Sequence, residues 1–264
     1  MLTELDRIVV AARYNAPVRD AFCTVLGAEV VGRDRVSVWS AERTTLRLGV
    51  GEVEVLEPDG VGAVADFLGR RGPGLFAVGF AHGPSDAFRI HLEDRGVSFE
   101  KQDLQLFLTA GRGVDLPFSI VISPARERER VGLLERIHAA VSLHRDAGVA
   151  GRLARVLGAK SSRVSSEECV VSSPPGTLLR VGEDGAGQLA VLEPWGVTTP
   201  IGRFFLRYGP RLYMAAAQSK AIATIRERLS LSGHSGGAPL LVPSELLGGV
   251  RLGVFPASNP MEFA

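Results

Sequence analysis

The sequence lacks the features that mark several specialised classes of protein. Among 264 residues only two are cysteine, too few for a disulfide framework and typical of a reducing compartment. No apolar run approaches the length that spans a bilayer, and the N-terminal segment lacks the pattern of a signal peptide. The net charge is only +1, which argues against a nucleic-acid partner or an anionic membrane surface. We therefore expect a cytoplasmic protein with neither a nucleic-acid nor a membrane partner.

The composition that is present is that of a globular protein. Apolar residues make up 45% of the chain and charged residues 22%, whereas aromatic residues contribute only 6%. A length of 264 residues suits one large domain or two domains of ordinary size.

An internal repeat favours two domains. The segment LDRIVVA at residue 5 returns as LERIHAA at residue 134, and VEVLEP at residue 53 returns as LAVLEP at residue 189. VADFLGRRGPG at residue 64 likewise returns as IGRFFLRYGPR at residue 201. The blocks keep their order at a nearly constant separation, as small insertions between two copies of one fold would produce. We predict a first domain over residues 1–125 and a second over residues 126–264.

Each copy reads as two smaller units of the same kind. In the first unit, a β-branched strand (IVVAA) precedes a helix with apolar residues at helical spacing, which Gly27 ends. Three short strands follow, and the order then restarts near residue 76. The sequence therefore predicts an α+β fold of four βαβββ modules, two in each copy.

Paired βαβββ units resemble the vicinal oxygen chelate superfamily, which includes glyoxalases, dioxygenases and bleomycin-resistance proteins. Residues 53–99 and 189–229 are locally most similar to methylmalonyl-CoA epimerases. The resemblance implies that each pair of units curls its strands into a cup. It also implies a metal on the inner face of the cup, held by about four His, Glu or Gln side chains, that activates a small carbonyl, thioester or catechol substrate.

Among the positions that correspond to these metal ligands, only that of Glu54 keeps a possible donor, and the second copy keeps none. The last strands, SIVIS and RLGVF, offer no acid for the fourth ligand. At the first three positions the two copies hold Arg7 and Arg136, Glu54 and Ala190, and Ala77 and Leu212 (or Arg211). An arginine has no lone pair to give a metal, and a divalent site needs at least three good donors. Among the five histidines and two cysteines there is no HxH or HxxxH pair. We therefore expect no metal and no cofactor.

Arg7 and Glu54 become the informative pair of the first copy. The resemblance places both on the inner face of the cup, where the metal would be. In one hypothesis Arg7 binds a carboxylate, enolate or carbonyl oxygen of the substrate, and Glu54 acts as a general base. In the alternative hypothesis the two residues form a buried ion pair that fills the cup. An Arg7→Ala variant separates the two, because only the first hypothesis expects lost binding with an intact fold.

In the second copy, Arg136 and His138 lie two residues apart on one predicted strand and therefore share a face. His138 could then transfer protons and Arg136 could bind substrate, with Tyr213 adding a hydroxyl group. Alternatively, Arg136 and His138 form a polar interface between the copies.

Three functions follow from these residues. The first is a metal-independent isomerase, epimerase or lyase for a small carbonyl or acyl-thioester metabolite, with Glu54 and His138 as catalytic residues and Arg7, Arg136 and Tyr213 as substrate-binding residues. The second is a non-catalytic protein that binds and sequesters a small molecule. The third, a metal-dependent dioxygenase or glyoxalase, is disfavoured by the missing ligands. Fusion of the copies predicts a monomer with an internal pseudo-dimer, or a homodimer.

Overall fold

The structure, a computed structural model of the chain, describes most of the sequence. The described residues are 1–84, 86–111, 115–146, 148–164, 175–182, 185–194, 198–231 and 238–257. They form two curled sheets, of eight strands and of seven strands. Among these residues no helix is long and apolar enough to cross a bilayer.

The first copy contains two complete βαβββ units joined by one helix. The first unit comprises β1 (Leu2–Ala11), α1 (Asn15–Leu26), β2 (Glu29–Val36), β3 (Ala41–Leu48) and β4 (Gly51–Pro58). A short 3₁₀ helix, Ser37–Trp39, lies between β2 and β3. The joining helix is α2 (Ala63–Arg71). The second unit comprises β5 (Gly74–His82), α3 (Ala87–Asp94), β6 (Glu100–Gln102), β7 (Gln105–Leu108) and β8 (Ser119–Pro124).

The second copy repeats this order. Its first unit comprises β9 (Arg136–Leu143), α4 (Gly148–Leu157), β10 (Lys160–Val164), β11 (Gly176–Val181) and β12 (Gly187–Leu192). After α5 (Pro200–Tyr208) come β13 (Arg211–Ser219), α6 (Ile222–Arg228), β14 (Leu240–Val242) and β15 (Leu252–Pro256). Within the described residues this last unit has two strands after its helix, where three were predicted. The α+β class and the duplication are otherwise confirmed.

The strand β1 has two different faces, and these define the inside and the outside of the first cup. Ile8 and Val10 belong to the main apolar core together with Phe22 of α1 and Phe88 of α3. Val9 and Ala11 point the other way and pack in a separate cluster. The helix α1 ends where the sequence predicts, because Gly27 adopts the left-handed conformation (φ 73°) that closes the helix. The face that carries Arg7, Val9 and Ala11 is therefore the inside of the cup.

The strand register corrects the alignment of the two copies. In the first copy Arg7 pairs with Glu52 of β4 and Gly79 of β5. The residue with the corresponding pairings in β9 is Ala139, opposite Gln188 and Ala216, and not Arg136. The predicted equivalence of Arg7 and Arg136 is therefore wrong by three residues.

The cause of this error is a recurring apolar spacing. The apolar residues of β1 include Leu2, Leu5 and Ile8, three residues apart, so the segment resembles itself when it is shifted by three. In the observed register Arg136 corresponds to Glu4. Arg136 pairs with Gln218 of β13, and Glu4 pairs with Ala81, which is the equivalent residue of β5.

Candidate functional site

The predicted contact between Arg7 and Glu54 exists inside the first cup. The Arg7 Nη1 atom donates to Glu54 Oε1 at 2.7 Å, and both side chains are almost fully buried. The contact forms because β1 and β4 are parallel neighbours, with Glu54 paired to Val9 two residues beyond Arg7 on the same face. Gly79 makes room for the arginine, since a Cβ atom there would lie 2.0 Å from Arg7 Cγ.

Every nitrogen of Arg7 is engaged by a neighbouring side chain. Nε and Nη2 donate to the two carboxylate oxygens of Asp6, at 3.1 and 2.9 Å, and Nη2 also donates to Ser123 Oγ at 2.6 Å. Glu52 lies 3.5 Å from Nη1. Burial opposes the charge, yet Asp6 and Glu54 raise the pKa of Arg7 well above its usual range. The guanidinium therefore has its donors directed at protein atoms and none left over for a substrate.

A second arginine, Arg128 from the segment between the copies, extends this ion network. It pairs with Asp6 and with Glu52, each at 3.2 Å, and its side chain is buried. Burial alone would raise the pKa of Asp6, but Arg7 and Arg128 together hold it below the usual value. Through these ion pairs Arg128 connects the segment between the copies to β1 and β4 of the first cup.

Arg43 of β3 completes the ion network on the other side of Glu54. Its Nη1 lies 3.2 Å from Glu54 Oε1 and donates to Gln105 Oε1 at 2.7 Å, while its Nη2 pairs with Asp34 at 2.5 Å. The other oxygen of Glu54, Oε2, is buried and has no hydrogen-bond partner. The negative charges of the buried carboxylates and the positive charges of the guanidinium groups in this network thus balance, and Glu54 Oε2 is left as an acceptor without a partner.

Aromatic side chains fill the remainder of the first cup. Trp39 is fully buried and meets Phe76 and Phe107 edge to face, with ring centroids 4.8 and 4.9 Å apart. Its indole nitrogen donates to Thr109 Oγ1 at 3.0 Å. The chain's own side chains therefore fill the inner face of the cup around Arg7, Glu54 and Trp39.

The residues of the first cup do not fit a divalent metal. Two guanidinium groups, those of Arg7 and Arg43, contact the single carboxylate at the predicted ligand positions, Glu54. Ala77 stands opposite Val9 and offers no donor. Within the described ranges, no group of three or more His, Cys, Asp or Glu residues is arranged to hold an ion. The described residues of this cup therefore do not supply the set of donors that a divalent metal requires.

The second cup is apolar where the first is ionic. By strand register, Ala139, Ala190 and Phe255 replace Arg7, Glu54 and Ser123. All three are buried in one cluster with Met214. Met214 pairs with Val141 as Ala77 pairs with Val9, so it, and neither Leu212 nor Arg211, occupies the third ligand position.

The structure does not bring Arg136 and His138 together in a cavity. A register shift interrupts β9 at His138, and the Arg136 Nε atom donates to Gln218 Oε1 at 3.0 Å. His138 is 3% exposed, and neither ring nitrogen has a partner. Burial, assisted by Arg136, lowers the pKa of His138 to about 4, so the ring is neutral at neutral pH.

A cavity of about 830 Å³ lies between the two copies, beside the Trp39 cluster of the first cup, with which it shares Phe76 and Thr109. The first copy contributes Phe67 and Arg71 of α2 and Phe76 of β5, and the second contributes His144 and Arg211. This volume is within the range typical of small-molecule sites. His144 accepts or donates a 2.6 Å hydrogen bond with Ser142 Oγ, and burial together with the nearby Arg71 lowers its pKa to about 4.

Two arginines join the copies at this cavity through the ends of two helices. The Arg211 Nη1 atom donates to the carbonyl of Arg71, the last residue of α2, at 2.9 Å. The Arg71 Nη1 atom donates to the carbonyls of Tyr208, the last residue of α5, and Pro210, at 2.7 and 2.6 Å. Each guanidinium thus satisfies carbonyl groups at the C-terminus of a helix in the other copy.

Sequence reasoning missed Arg71 and Arg211 as site residues. The only signal was that both belong to the repeated blocks VADFLGRRGPG and IGRFFLRYGPR. Tyr213, by contrast, does line a second, smaller cavity, beside the ring of Phe204. The position of His91 on the apolar side of its helix indicates a hydrogen-bonded, partly buried residue, and His91 is buried with its ring nitrogen 3.0 Å from Val156 O. Cys169, for which the sequence favours a core position, lies outside the described residues.

Comparison with known proteins supports the fold at low sequence identity. No protein-family model and no curated protein matches the sequence. A triple variant of 4-hydroxymandelate synthase from Streptomyces coelicolor matches with a TM-score of 0.65 at 13% identity, covering 97% of this chain and 93% of that one. A xylose isomerase-like TIM barrel/4-hydroxyphenylpyruvate dioxygenase fusion protein matches with a TM-score of 0.63 at 15% identity. That match covers 93% of this chain and 41% of the fusion protein.

A methylmalonyl-CoA epimerase variant from Streptomyces coelicolor is 20% identical over 47% of this chain, with a TM-score of 0.40 that is too low for a conclusion. At these identities the two longer matches show the architecture and not the chemistry. The chain therefore has the vicinal oxygen chelate fold, with two copies of that domain in one polypeptide.

Proposed function

We propose that this protein binds a small organic molecule in the cavity between its two copies and does not use either cup as a metal-centred active site. The observation that carries the proposal is that side chains fill both cups around the predicted ligand positions, whereas the cavity between the copies is open. The first cup is occupied by the Arg7–Glu54 network and by Trp39, and the second by an apolar cluster. The cavity between the copies, in contrast, has about 830 Å³ of space and both polar and aromatic walls.

This proposal corresponds to the sequestration hypothesis of the sequence analysis. Phe67, Phe76 and Phe118 provide an apolar wall, with the rings of Phe67 and Phe76 edge to face, and Arg71 and His144 provide hydrogen-bonding groups. Such a combination orients a small ligand by a few polar contacts and holds it by apolar burial. The cytoplasmic location and the oligomeric state stay predictions.

A second candidate, a metal-independent isomerase or lyase, has one observation in its favour. Glu54 Oε2 is buried without a partner, so this oxygen could accept a substrate proton. Against this candidate, the donors of Arg7 point at Asp6, Glu54 and Ser123, and His138 lines neither cavity. We therefore place binding first.

Filling the cavity is expected to abolish binding. Fragments would be screened against the full chain by thermal shift, and the affinities of the hits measured by calorimetry. Ala110 lines the cavity and is half-buried, so an Ala110→Trp variant is expected to weaken the hits at least tenfold. Ile90, exposed on α3 away from the cavity, provides the matched control: Ile90→Trp is expected to change affinities less than twofold. Hits that bind equally well to the Ala110→Trp protein would overturn the proposal.

A further inference from the structure

A second cavity, of about 180 Å³, adjoins the first and has an unusual balance of charge. It shares Arg71, Leu75, Arg211 and Leu212 with the larger cavity, so these four residues border both spaces. Its described lining contains three arginines and no carboxylate. The polar lining residues are Arg71, Arg211, Arg251, Tyr208, Tyr213 and Ser244.

Arg211 is the most deeply buried of the three arginines. It is 5% exposed, and its Nε has no hydrogen-bond partner. Its guanidinium carbon lies 4.8 Å from the ring centre of Phe67, and no carboxylate of the described residues forms an ion pair with it. Burial, with a further contribution from Arg71, lowers its pKa to about 10, so it remains charged at neutral pH.

Arg71 and Arg251 add two further positive charges without a described carboxylate partner. Arg71 donates to the carbonyls of Tyr208 and Pro210. Arg251 lies against aromatic rings, 5.2 Å from the centre of Phe204 and 5.3 Å from that of Tyr213. The ends of α2 and α5 supply roughly half a negative charge each, so about two of the three positive charges stay uncompensated.

The buried arginines of the first cup have carboxylate partners. Arg7, Arg43 and Arg128 each pair with at least one carboxylate. Arg226 of α6 is also buried, and among the described residues it donates to the carbonyls of Ala238 and Pro239 instead, so backbone groups can satisfy a buried arginine of this chain. What distinguishes Arg211 is that it lines a cavity together with two further arginines and no described carboxylate. An oxyanion in that cavity can satisfy two guanidinium groups through paired N–H donors.

We propose that this smaller cavity binds the carboxylate or phosphate group of a small ligand, whose uncharged remainder lies in the larger cavity between the copies. The inference rests on the proposed function, because it assigns a chemical class to the ligand of that same site. Arg211 and Arg251 would bind the oxyanion, with the hydroxyl groups of Tyr213 and Ser244 as further donors. The aromatic wall of the larger cavity favours an apolar or aromatic remainder.

The test compares anionic and neutral probes of similar shape on the full chain. Benzoate and phenyl phosphate are the anions, and benzamide is the neutral counterpart. By calorimetry at low salt we expect one or both anions to bind at least tenfold more tightly than benzamide. An Arg211→Met variant keeps the length of the side chain and is expected to remove that preference, with benzamide binding changed less than threefold.

Two further variants keep the test decisive. Arg203→Met removes one exposed positive charge from α5 and is expected to leave the preference unchanged. If Arg211→Met does not fold, Arg251→Met at the half-buried position is expected to reduce the preference by at least fivefold. Comparison of benzoate with phenyl phosphate then shows which oxyanion the pocket selects.

The outcomes separate the two proposals. Equal binding of benzoate, phenyl phosphate and benzamide, each weakened by Ala110→Trp, would overturn the anion pocket and leave the proposed function standing. If the probes and every screened fragment fail to bind, both proposals fail. If the wild type shows no preference for the anions and Arg211→Met lowers only its thermal stability, Arg211 serves to join the helix ends and the inference is wrong.

Discussion

Replacing Arg7 with methionine is expected to lower the free energy of unfolding by about 3–5 kcal/mol. The aliphatic stem of Arg7 lies directly on Gly79, so methionine keeps that packing and removes only the guanidinium. Glu54 loses its 2.7 Å partner while keeping Arg43 at 3.2 Å, and Asp6 loses two hydrogen bonds while keeping Arg128. Three carboxylates, those of Asp6, Glu52 and Glu54, then share the guanidinium groups of Arg43 and Arg128, so one negative charge has no partner. An uncompensated buried carboxylate is among the few single changes with effects of this size.

The measurement is urea denaturation at pH 7.5, with Arg13→Met, an exposed arginine, as the matched control. The double variant Arg7→Met/Glu54→Leu is expected to recover much of the loss, because a buried ion pair can often be replaced by apolar residues of similar volume. A single variant with wild-type stability and lost ligand binding would contradict the structural role and support the isomerase or lyase candidate.

Replacing His138 with leucine is expected to change how stability responds to acid. The pKa of His138 falls from 6.5 to about 4 on folding. The unfolded chain therefore binds a proton between these values that the folded chain does not. Stability is lost as the pH falls from about 6.5 to about 4, and is unchanged by this group below that window. A pKa difference of this size corresponds to roughly 3 kcal/mol for one histidine.

The His138→Leu variant lacks this contribution, so its unfolding free energy should fall less than that of the wild type between pH 7.5 and pH 4.5. At pH 7.5 the variant should also be more stable by about 1–3 kcal/mol, because two buried ring nitrogens without partners are removed. His144 keeps its own contribution, since its pKa is also about 4. His82→Gln, at a half-buried position, is the control. Parallel acid profiles for variant and wild type would contradict the neutral buried state of His138.

The resemblance predicted that Arg7 and Glu54 share the inner face of the first cup, and the contact between them was found as expected. Asp6 and Arg128 could not be predicted in the same way. The strand irregularity between Leu5 and Arg7 lies where Asp6 can reach the arginine, and the docking of Arg128 depends on the path of the linker.

The errors in the second copy have a similar physical origin. The local similarity of the two segments aligned Arg136 with Arg7. The hydrogen-bonded register aligns Ala139 with Arg7 instead, and the recurring spacing of apolar residues explains the error. Arg71 and Arg211 meet only because the C-terminal ends of α2 and α5 approach each other across the copies. Such contacts depend on how the two copies pack together. The periodicity of a single strand or helix does not predict that packing.

The central claim is that the ligand binds between the copies and not inside a cup. Its most direct test is a crystal structure of the full chain soaked with 4-bromobenzoate, with the bromine located by anomalous scattering. We expect the carboxylate beside Arg211 and the bromine in the larger cavity near Phe67 and Phe76. A bromine peak inside the first cup, with Arg7 turned away from Glu54, would contradict the account.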